Sequence, residues 1–180
     1  MIRLFVALTP APEICTKLSG LGKTIGGARP IPDDQVHLTL RFIGEVEANT
    51  FHDIRTRLRE LKSPPLRLTV EGTGHFPPRG NPKVIWAGVR PAGDVMILRN
   101  RVNNVLSRCG IEPERRKFHP HFTLARLKDS SPNRVADFLA GNALLKSPPF
   151  IVDRVHLYSS SLTPDGAIHR LEESYPLTDE

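Results

Sequence analysis

A four-residue pattern occurs twice in this chain of 180 residues, at a separation close to half of its length. The segment HLTL, at positions 37–40, is echoed by HFTL at positions 121–124, which begins 84 residues later (121 − 37). A repeat at half-chain spacing is typical of a fold built from two similar units. The repeat therefore predicts an α+β chain with two halves of comparable content, each carrying one copy of the pattern on a strand.

Each copy has the alternation of a strand with one buried face. Successive side chains of a strand point to opposite faces, so His37 and Thr39 project together. His121 and Thr123 do the same in the second copy. A single His-x-Thr strand is usually an ordinary half-solvated sheet face, whereas its repetition favours two polar faces opposed across a cleft. The other face of the first strand is expected to enter a core through Val36, Leu38, Leu40 and Phe42.

The remaining apolar spacing predicts four helices and further strands around these two. Helical periodicity begins near Glu13, Asn49, Val95 and Pro132. Extended segments are predicted at 3–8, 36–43, 66–70, 83–89, 121–127, 151–158 and 168–175. The stretch 72–82 is rich in Gly and Pro and is expected to be a loop. Because no linker separates the halves, residues 1–180 are predicted to form one folding unit with two lobes.

Composition narrows the class of protein and of partner. No apolar run approaches the ~20 residues that cross a bilayer, and the first residues do not resemble a signal peptide. Two cysteines without close neighbours indicate neither a disulfide framework nor a zinc site, so a cytoplasmic protein is expected. A formal charge of +6 favours a polyanionic partner, with a merely solvated basic surface as the equal alternative. His119 and His121 lack a third ligand at a supportive spacing, so no metal is expected.

Two opposed imidazoles suit phosphodiester chemistry. Because the ordinary pKa of histidine is about 6.5, one ring can be neutral while the other is protonated near neutral pH. The neutral ring can take a proton from attacking water, and the charged ring can protonate the leaving oxygen. In-line displacement requires the two groups on opposite sides of phosphorus. The hydroxyls of Thr39 and Thr123 can donate to the non-bridging oxygens.

The motifs and their flanks resemble a known family. The opening RLFVAL, the segment HLTLRFIGEV, the FPP that precedes VIWAGV, then PHFTLAR and the late YSSSL are similar to the two-histidine phosphoesterase superfamily, specifically the RNA 2′,3′-cyclic phosphodiesterases once called 2′-5′ RNA ligases. The resemblance implies a bilobal α+β fold with pseudo-two-fold symmetry, in which two small antiparallel sheets backed by helices enclose a central cleft. It also implies that His37 donates the proton, that His121 accepts it, and that no cofactor is used.

Three more residues are candidates for substrate binding. Arg126 ends the PHFTLAR match, where the family has an arginine at the phosphate. Strict alternation would put Arg126 on the face opposite His121. Either a bulge or a strand end is therefore expected there, or the arginine lies at the rim of the cleft. Arg41 lies on the histidine face by simple alternation and is a second phosphate candidate, with a surface ion pair as the equal alternative. Phe76 could stack on a base or could anchor its loop.

Three functions remain open on the sequence. The first is hydrolysis of 2′,3′-cyclic ends of RNA, of tRNA fragments or of cyclic nucleotides to a 2′-phosphate, by a monomer. The second is ATP-independent 2′-5′ ligation of tRNA halves, which is the same chemistry reversed. The third is a non-catalytic module that binds RNA ends. His52, His75, His156 and His169 are expected to have surface or packing roles, and Trp86 and Tyr158 could belong to the core or the cleft wall.

Overall fold

The computed structural model describes residues 1–179, and its architecture is α+β, as the sequence predicts. Four α-helices occur in these residues: α1 (Pro12–Lys23), α2 (Ala48–Arg57), α3 (Ala92–Ser107) and α4 (Pro132–Gly141). The nine strands in the same range are β1 (Ile2–Leu8), β2 (Ala28–Pro30), β3 (Leu38–Val46), β4 (Leu66–Phe76), β5 (Val84–Arg90), β6 (His121–Leu127), β7 (Phe150–Val152), β8 (Arg154–Thr163) and β9 (Gly166–Pro176). Across residues 1–179, no helix combines the length and the apolar composition that a membrane crossing requires.

The strands form two antiparallel sheets, and both sheets draw on both halves of the sequence. The first sheet has the order β3-β1-β8-β9, and the second has the order β2-β6-β5-β4-β7. Strand β4, which follows the first motif in the chain, therefore joins the sheet of the second motif, where it pairs with β5. Strand β8, which follows the second motif, pairs with β1 in the sheet of the first motif. This exchange ties the two sheets together through two crossing strands.

Two of the helices pack on the sheets, and each packs on the sheet that carries the other half's motif. Helix α1 follows β1 in the chain but packs on β2 and β6 of the second sheet, whereas α3 packs on β3 of the first sheet. Contact between α1 and β6 is close, since a Cβ on Gly22 would lie 2.2 Å from the carbonyl oxygen of Leu124. One continuous apolar core includes Leu38 and Phe122, the apolar neighbours of the two histidines.

A β-bulge in the first sheet changes which way β3 presents its side chains. Thr39 pairs with Ala7 and Arg41 pairs with Val6, so Leu40 is an extra residue in β3. An extra residue reverses the alternation beyond it. Arg41 consequently points into the core, and Phe42 points the other way with 55% of its surface exposed. The prediction that Phe42 is a core residue is wrong for this reason.

A second bulge lies at the equivalent place in β6. Trp86 pairs with Thr123 and Ile85 pairs with Ala125, so Leu124 is the extra residue. The bulge brings Arg126 onto the face that carries His121, which is one of the alternatives expected from the sequence. Both bulges have their freed carbonyls satisfied from outside the strand pair. The Leu40 oxygen accepts from Arg99 Nε at 3.2 Å, and the Leu124 oxygen accepts from the backbone N–H of Ile31 at 3.0 Å.

The predicted loop 72–82 is only partly a loop. Strand β4 continues to Phe76, with a register break between Val70 and Thr73 where Gly72 has a φ of +72°. Beyond the break, Gly74 lies under the indole of Trp86, since a Cβ there would be 2.2 Å from the Trp86 Cζ2 atom. The predicted strand 151–158 is divided at Asp153 into β7 and β8.

Candidate active site

The two predicted histidines lie where the two sheets meet. His37 immediately precedes β3, and His121 is the first residue of β6. These two strands contact each other across the junction of the sheets. The imidazoles are close enough for the charge of His121 to lower the pKa of His37. The structure thus brings both copies of the repeated motif to one cleft.

Both imidazoles are held by the same hydrogen bond. His37 Nδ1 donates to the carbonyl of Gln35 at 2.7 Å, and His121 Nδ1 donates to the carbonyl of His119 at 2.6 Å. A carbonyl can only accept, so Nδ1 carries the hydrogen in each ring. This leaves both Nε2 atoms available to exchange a proton with a ligand in the cleft.

An aromatic ring braces each imidazole. The ring of Phe5, which is buried, lies 5.1 Å from that of His37. The ring of Phe76 meets that of His121 edge-on, at 4.9 Å and 79°. Phe76 is half-buried and also contacts Trp86 at 5.4 Å. Its place beside His121 agrees with an anchoring role, while base stacking stays a prediction.

Burial disfavours the charged form of both catalytic candidates. It is the main reason why the pKa of His37 is lowered to about 4, against the opposing effect of the Gln35 carbonyl. The positive charges of His169, His121 and Arg126 lower the pKa further. Burial is also the main reason why the pKa of His121 is lowered, with a smaller contribution from His119. In the free protein, the neutral form of both rings is therefore favoured at pH 7.

The two threonines accompany the histidines as the strand pattern predicts. Thr39 pairs with Ala7 and Thr123 pairs with Trp86, and both threonine side chains are half-buried on the face that lines the cleft. Each hydroxyl is therefore positioned beside its own histidine, where it can donate a hydrogen bond to an oxygen of a bound phosphate.

The two candidate arginines lie in different environments, one at the cleft and one in the protein interior. Arg126 is exposed on the cleft face, and its charge lowers the pKa of both His37 and His169. Arg41 is only 5% exposed and points away from the cleft. Its guanidinium donates to Asn103 Oδ1 at 3.1 Å and to the carbonyl of Glu112. The prediction that Arg41 binds phosphate is wrong, because the Leu40 bulge turns it into the core.

A third histidine lies in the cleft, and the sequence analysis missed it. The ring of His169, on β9, is edge-on to His37 at 5.4 Å and to Phe5 at 4.8 Å. Its Nδ1 is buried and has no hydrogen-bond partner within residues 1–179. Tyr158 stacks on Phe5 at 5.2 Å and 15°, which places it in the cleft wall. Alternation in β8 and β9 could have signalled both residues, but nothing in the sequence shows that β8 pairs with β1 and brings β9 into the same sheet.

On the other side of the cleft, His119 and Trp86 form an aromatic pair. Their ring centroids are 4.6 Å apart, and the His119 ring is nearly parallel to that of His121 at 6.2 Å. His119 is exposed at the rim. Within residues 1–179, no group of three or more His, Cys, Asp or Glu side chains could hold a metal ion.

Comparison with known proteins assigns this arrangement to a family. Residues 12–163 match the model of the 2′-5′ RNA ligase superfamily. The chain belongs to this superfamily. Its curated relatives include the RNA 2′,3′-cyclic phosphodiesterase of Archaeoglobus fulgidus, which is 32% identical over 94% of this chain and 97% of the relative. The corresponding protein of Thermotoga maritima is 35% identical over 89% of this chain and 84% of its own.

Solved structures share the fold of this superfamily member along nearly the whole chain. The protein TT0787 of Thermus thermophilus superposes with a TM-score of 0.81 at 26% identity, with 97% of both chains covered. Escherichia coli LigT complexed with 3′-AMP superposes with a TM-score of 0.75 at 27% identity, with 98% of both chains covered. The bilobal α+β fold that the resemblance implies is thereby confirmed.

Proposed function

We propose that this chain is a phosphodiesterase that hydrolyses 2′,3′-cyclic phosphate ends of RNA and leaves a 2′-phosphate. The observation that carries the proposal is the matched pair of imidazoles. His37 and His121 each have Nδ1 bound to a carbonyl, and both rings open on one cleft beside the guanidinium of Arg126. Within residues 1–179, neither Nε2 atom has a hydrogen-bond partner and Arg126 forms no ion pair. The curated relatives named as RNA 2′,3′-cyclic phosphodiesterases support the same chemistry.

The reaction needs one proton accepted and one donated. His121 Nε2 takes a proton from water as the water oxygen bonds to phosphorus, on the face opposite the ribose O3′. The P–O3′ bond breaks, and His37 Nε2 gives its proton to O3′. Arg126 and the hydroxyls of Thr39 and Thr123 stabilise the charge on the non-bridging oxygens. Exchange of one proton with solvent restores both rings.

The substrate itself prepares the proton donor. Because burial lowers the pKa of His37 to about 4, this ring is neutral in the free protein at pH 7. The negative charge of a bound phosphodiester favours the imidazolium and raises this pKa again. Proton uptake by His37 therefore accompanies binding of the substrate.

Product analysis on an oligonucleotide with a 2′,3′-cyclic end tests the proposal. Substitution of either His37→Ala or His121→Ala is expected to lower kcat by about 10²–10⁴-fold, the usual contribution of general acid–base catalysis. His52→Ala, on the exposed face of α2, is the matched control and keeps full activity. Hydrolysis that survives both substitutions would refute the two-histidine mechanism. Joined tRNA halves would show ligation instead, and binding without turnover would show a non-catalytic module.

A sulfur substitution tests which histidine gives the proton. A thiolate leaves without protonation, so a cyclic substrate with sulfur in place of O3′ does not need the acid. With this substrate, His37→Ala is expected to regain most of its activity, whereas His121→Ala stays impaired. The reverse pattern would assign the roles the other way round.

We further propose that the whole chain acts as one two-lobed unit, as a monomer in the cytoplasm. Exchange of β4 and β8 between the sheets supports a single unit. The thiols of Cys15 and Cys109 are both free, which is common in reducing compartments. Size-exclusion chromatography with light scattering checks the mass against the 20.1 kDa of one chain.

A further inference from the structure

We propose that Arg29 binds the phosphodiester that precedes the reacting end, so that Arg29 and Arg126 hold two consecutive phosphates of an RNA strand. This inference rests on the proposed function, because it assumes that the cyclic phosphate occupies the cleft at Arg126. The proposed site at Arg29 recognises the RNA upstream of its reacting end. It therefore favours substrates of at least two nucleotides.

The first observation is the pairing of β2 with β6. Arg29 is the Cα partner of Arg126 in this antiparallel pair. Directly opposed residues of an antiparallel pair share one face of the sheet, with Cβ atoms about 4.5–5.5 Å apart. The bulge at Leu124 has turned Arg126 to the cleft face, and Arg29 must therefore project to the same face.

The second observation is that neither charge is neutralised by the protein. Both arginines are exposed, and neither has a carboxylate oxygen within 4.0 Å in the part of the chain that the structure describes. The nearby turn between β8 and β9 contains Asp165, which forms no such ion pair either. Like charges directly opposite each other in a sheet are destabilising, and bound anions remove this repulsion.

The third observation is the position of Arg29 relative to the histidines. Its Nη1 atom lies 3.1 Å from the point where a Cβ would stand on Gly166, the first residue of β9 in the first sheet. Arg29 thus spans the gap between the two sheets. Arg126 shares β6 with His121, whereas Arg29 lies on β2, the edge strand beyond β6. From the strand that carries His121 towards the edge of the sheet, Arg126 therefore comes first and Arg29 second.

A linear RNA presents its phosphates in the same serial order. When the terminal cyclic phosphate lies at Arg126, an RNA strand that leaves the cleft from β6 towards β2 brings its next phosphate to Arg29. A guanidinium binds such a phosphate through charge-assisted hydrogen bonds. A cyclic mononucleotide has only the reacting phosphate, so Arg29 has nothing to bind and contributes nothing to its turnover.

The test compares two substrates in three variants. For a dinucleotide with a 2′,3′-cyclic end, Arg29→Ala is expected to lower kcat/KM by about tenfold or more, the usual effect of losing a hydrogen bond to a charged group. The effect is expected in KM, and kcat/KM for the 2′,3′-cyclic mononucleotide stays unchanged. Arg29→Lys keeps the charge and recovers part of the loss. Arg101→Ala, on the exposed surface of α3, is the charge-matched control and changes neither substrate.

An equal loss on both substrates, or no loss on the dinucleotide, would overturn the inference. Failure of the proposed function has a different signature, since the wild-type protein would then open neither cyclic substrate. In that case, the affinity for non-reacting nucleotides tests whether Arg29 binds a second phosphate. If Arg29 holds a second phosphate, Arg29→Ala weakens the binding of a dinucleotide 3′-phosphate but not that of a mononucleotide 3′-phosphate. Equal binding of the dinucleotide by both proteins would reject the site.

Discussion

The pH at which kcat/KM is highest is expected to be lower for two buried imidazoles than for two exposed histidines. The quantity kcat/KM reports on the free protein, in which one ring must be charged and the other neutral. Burial lowers the pKa of His37 to about 4 and also lowers the pKa of His121 from its ordinary value. The profile is therefore expected to be bell-shaped, with its maximum on the acid side of pH 6.5.

The size of the expected effect is the fall of kcat/KM on the alkaline side of this profile. Because the higher of the two pKa values lies below 6.5, kcat/KM at pH 8 is expected to be at least about 30-fold below its maximum. On the acid side, activity falls below pH 4, where both rings are protonated. This shape is independent of which ring is the acid, since each ring contributes one limb.

Initial rates with a 2′,3′-cyclic mononucleotide, measured at low substrate concentration from pH 3.5 to pH 9, provide the assay. The value of kcat at saturation is expected to peak at a higher pH than kcat/KM, because the bound phosphodiester raises both pKa values. An NMR titration of the His37 ring in the free protein checks its pKa directly. A kcat/KM that is constant or rising between pH 6.5 and pH 8 would refute the assignment of the proton donor to either buried ring.

Further predictions concern stability and the surroundings of the site. Arg41→Met is expected to lower the free energy of unfolding by about 3 kcal/mol, since buried acceptors lose their donor, and to leave kcat/KM of the folded protein unchanged. Urea denaturation measures the first quantity, and a loss of activity without a loss of stability would contradict the buried position of Arg41. Gly74→Val is expected to displace the indole of Trp86, which is the single tryptophan of the chain, so that both the midpoint of thermal unfolding and the fluorescence maximum change. The free energy of unfolding is expected to fall by about 3 kcal/mol between pH 7 and pH 4 on account of His37, because the unfolded chain binds the proton near pH 6.5 and the folded chain binds it only near pH 4. This pH dependence is expected to shrink in His37→Gln. His169→Phe keeps the contact with the neighbouring rings but removes a positive charge, so the pKa of His37 is expected to rise in an NMR titration.

The paired histidines were predictable because their signal is local and occurs twice. Strand alternation assigns His37 and Thr39 to one face over a span of only three residues, and the same is true of His121 and Thr123. The half-chain spacing then predicts that the two faces meet. The family, the α+β class and the bilobal fold followed from the same motifs, and the comparisons confirm them.

The errors begin where alternation is carried across a bulge. Arg41 lies only two residues beyond Thr39, but the extra residue Leu40 reverses its direction. What stabilises this bulge is distant in sequence, because the Leu40 carbonyl is bound by Arg99 of α3. For Arg126, the tension between alternation and the family pattern indicated a bulge, a strand end or a position at the rim, and the structure has the bulge.

His169 was missed for a topological reason. Its position in the cleft depends on the return of β8 and β9 to the first sheet, and a hydrophobic pattern does not specify which strands become neighbours. The strand end at Phe76 was misjudged because Gly72 and Gly74 are typical of loops. In this chain one of them occupies a bulge and the other makes room for Trp86.

The exchange of β4 and β8 between the sheets also limits how such a chain could have arisen by gene duplication. A half-length ancestor with one His-x-Thr strand would reproduce this strand arrangement only as a strand-swapped dimer, with its last strand in the sheet of a second copy. In that symmetric dimer both imidazoles would already face each other, and every residue would occur twice. Fusion into one chain frees the copies to diverge. Five residues after the motif histidine, the first copy has Phe42 and the second has Arg126, and the bulge in each strand turns both away from the core.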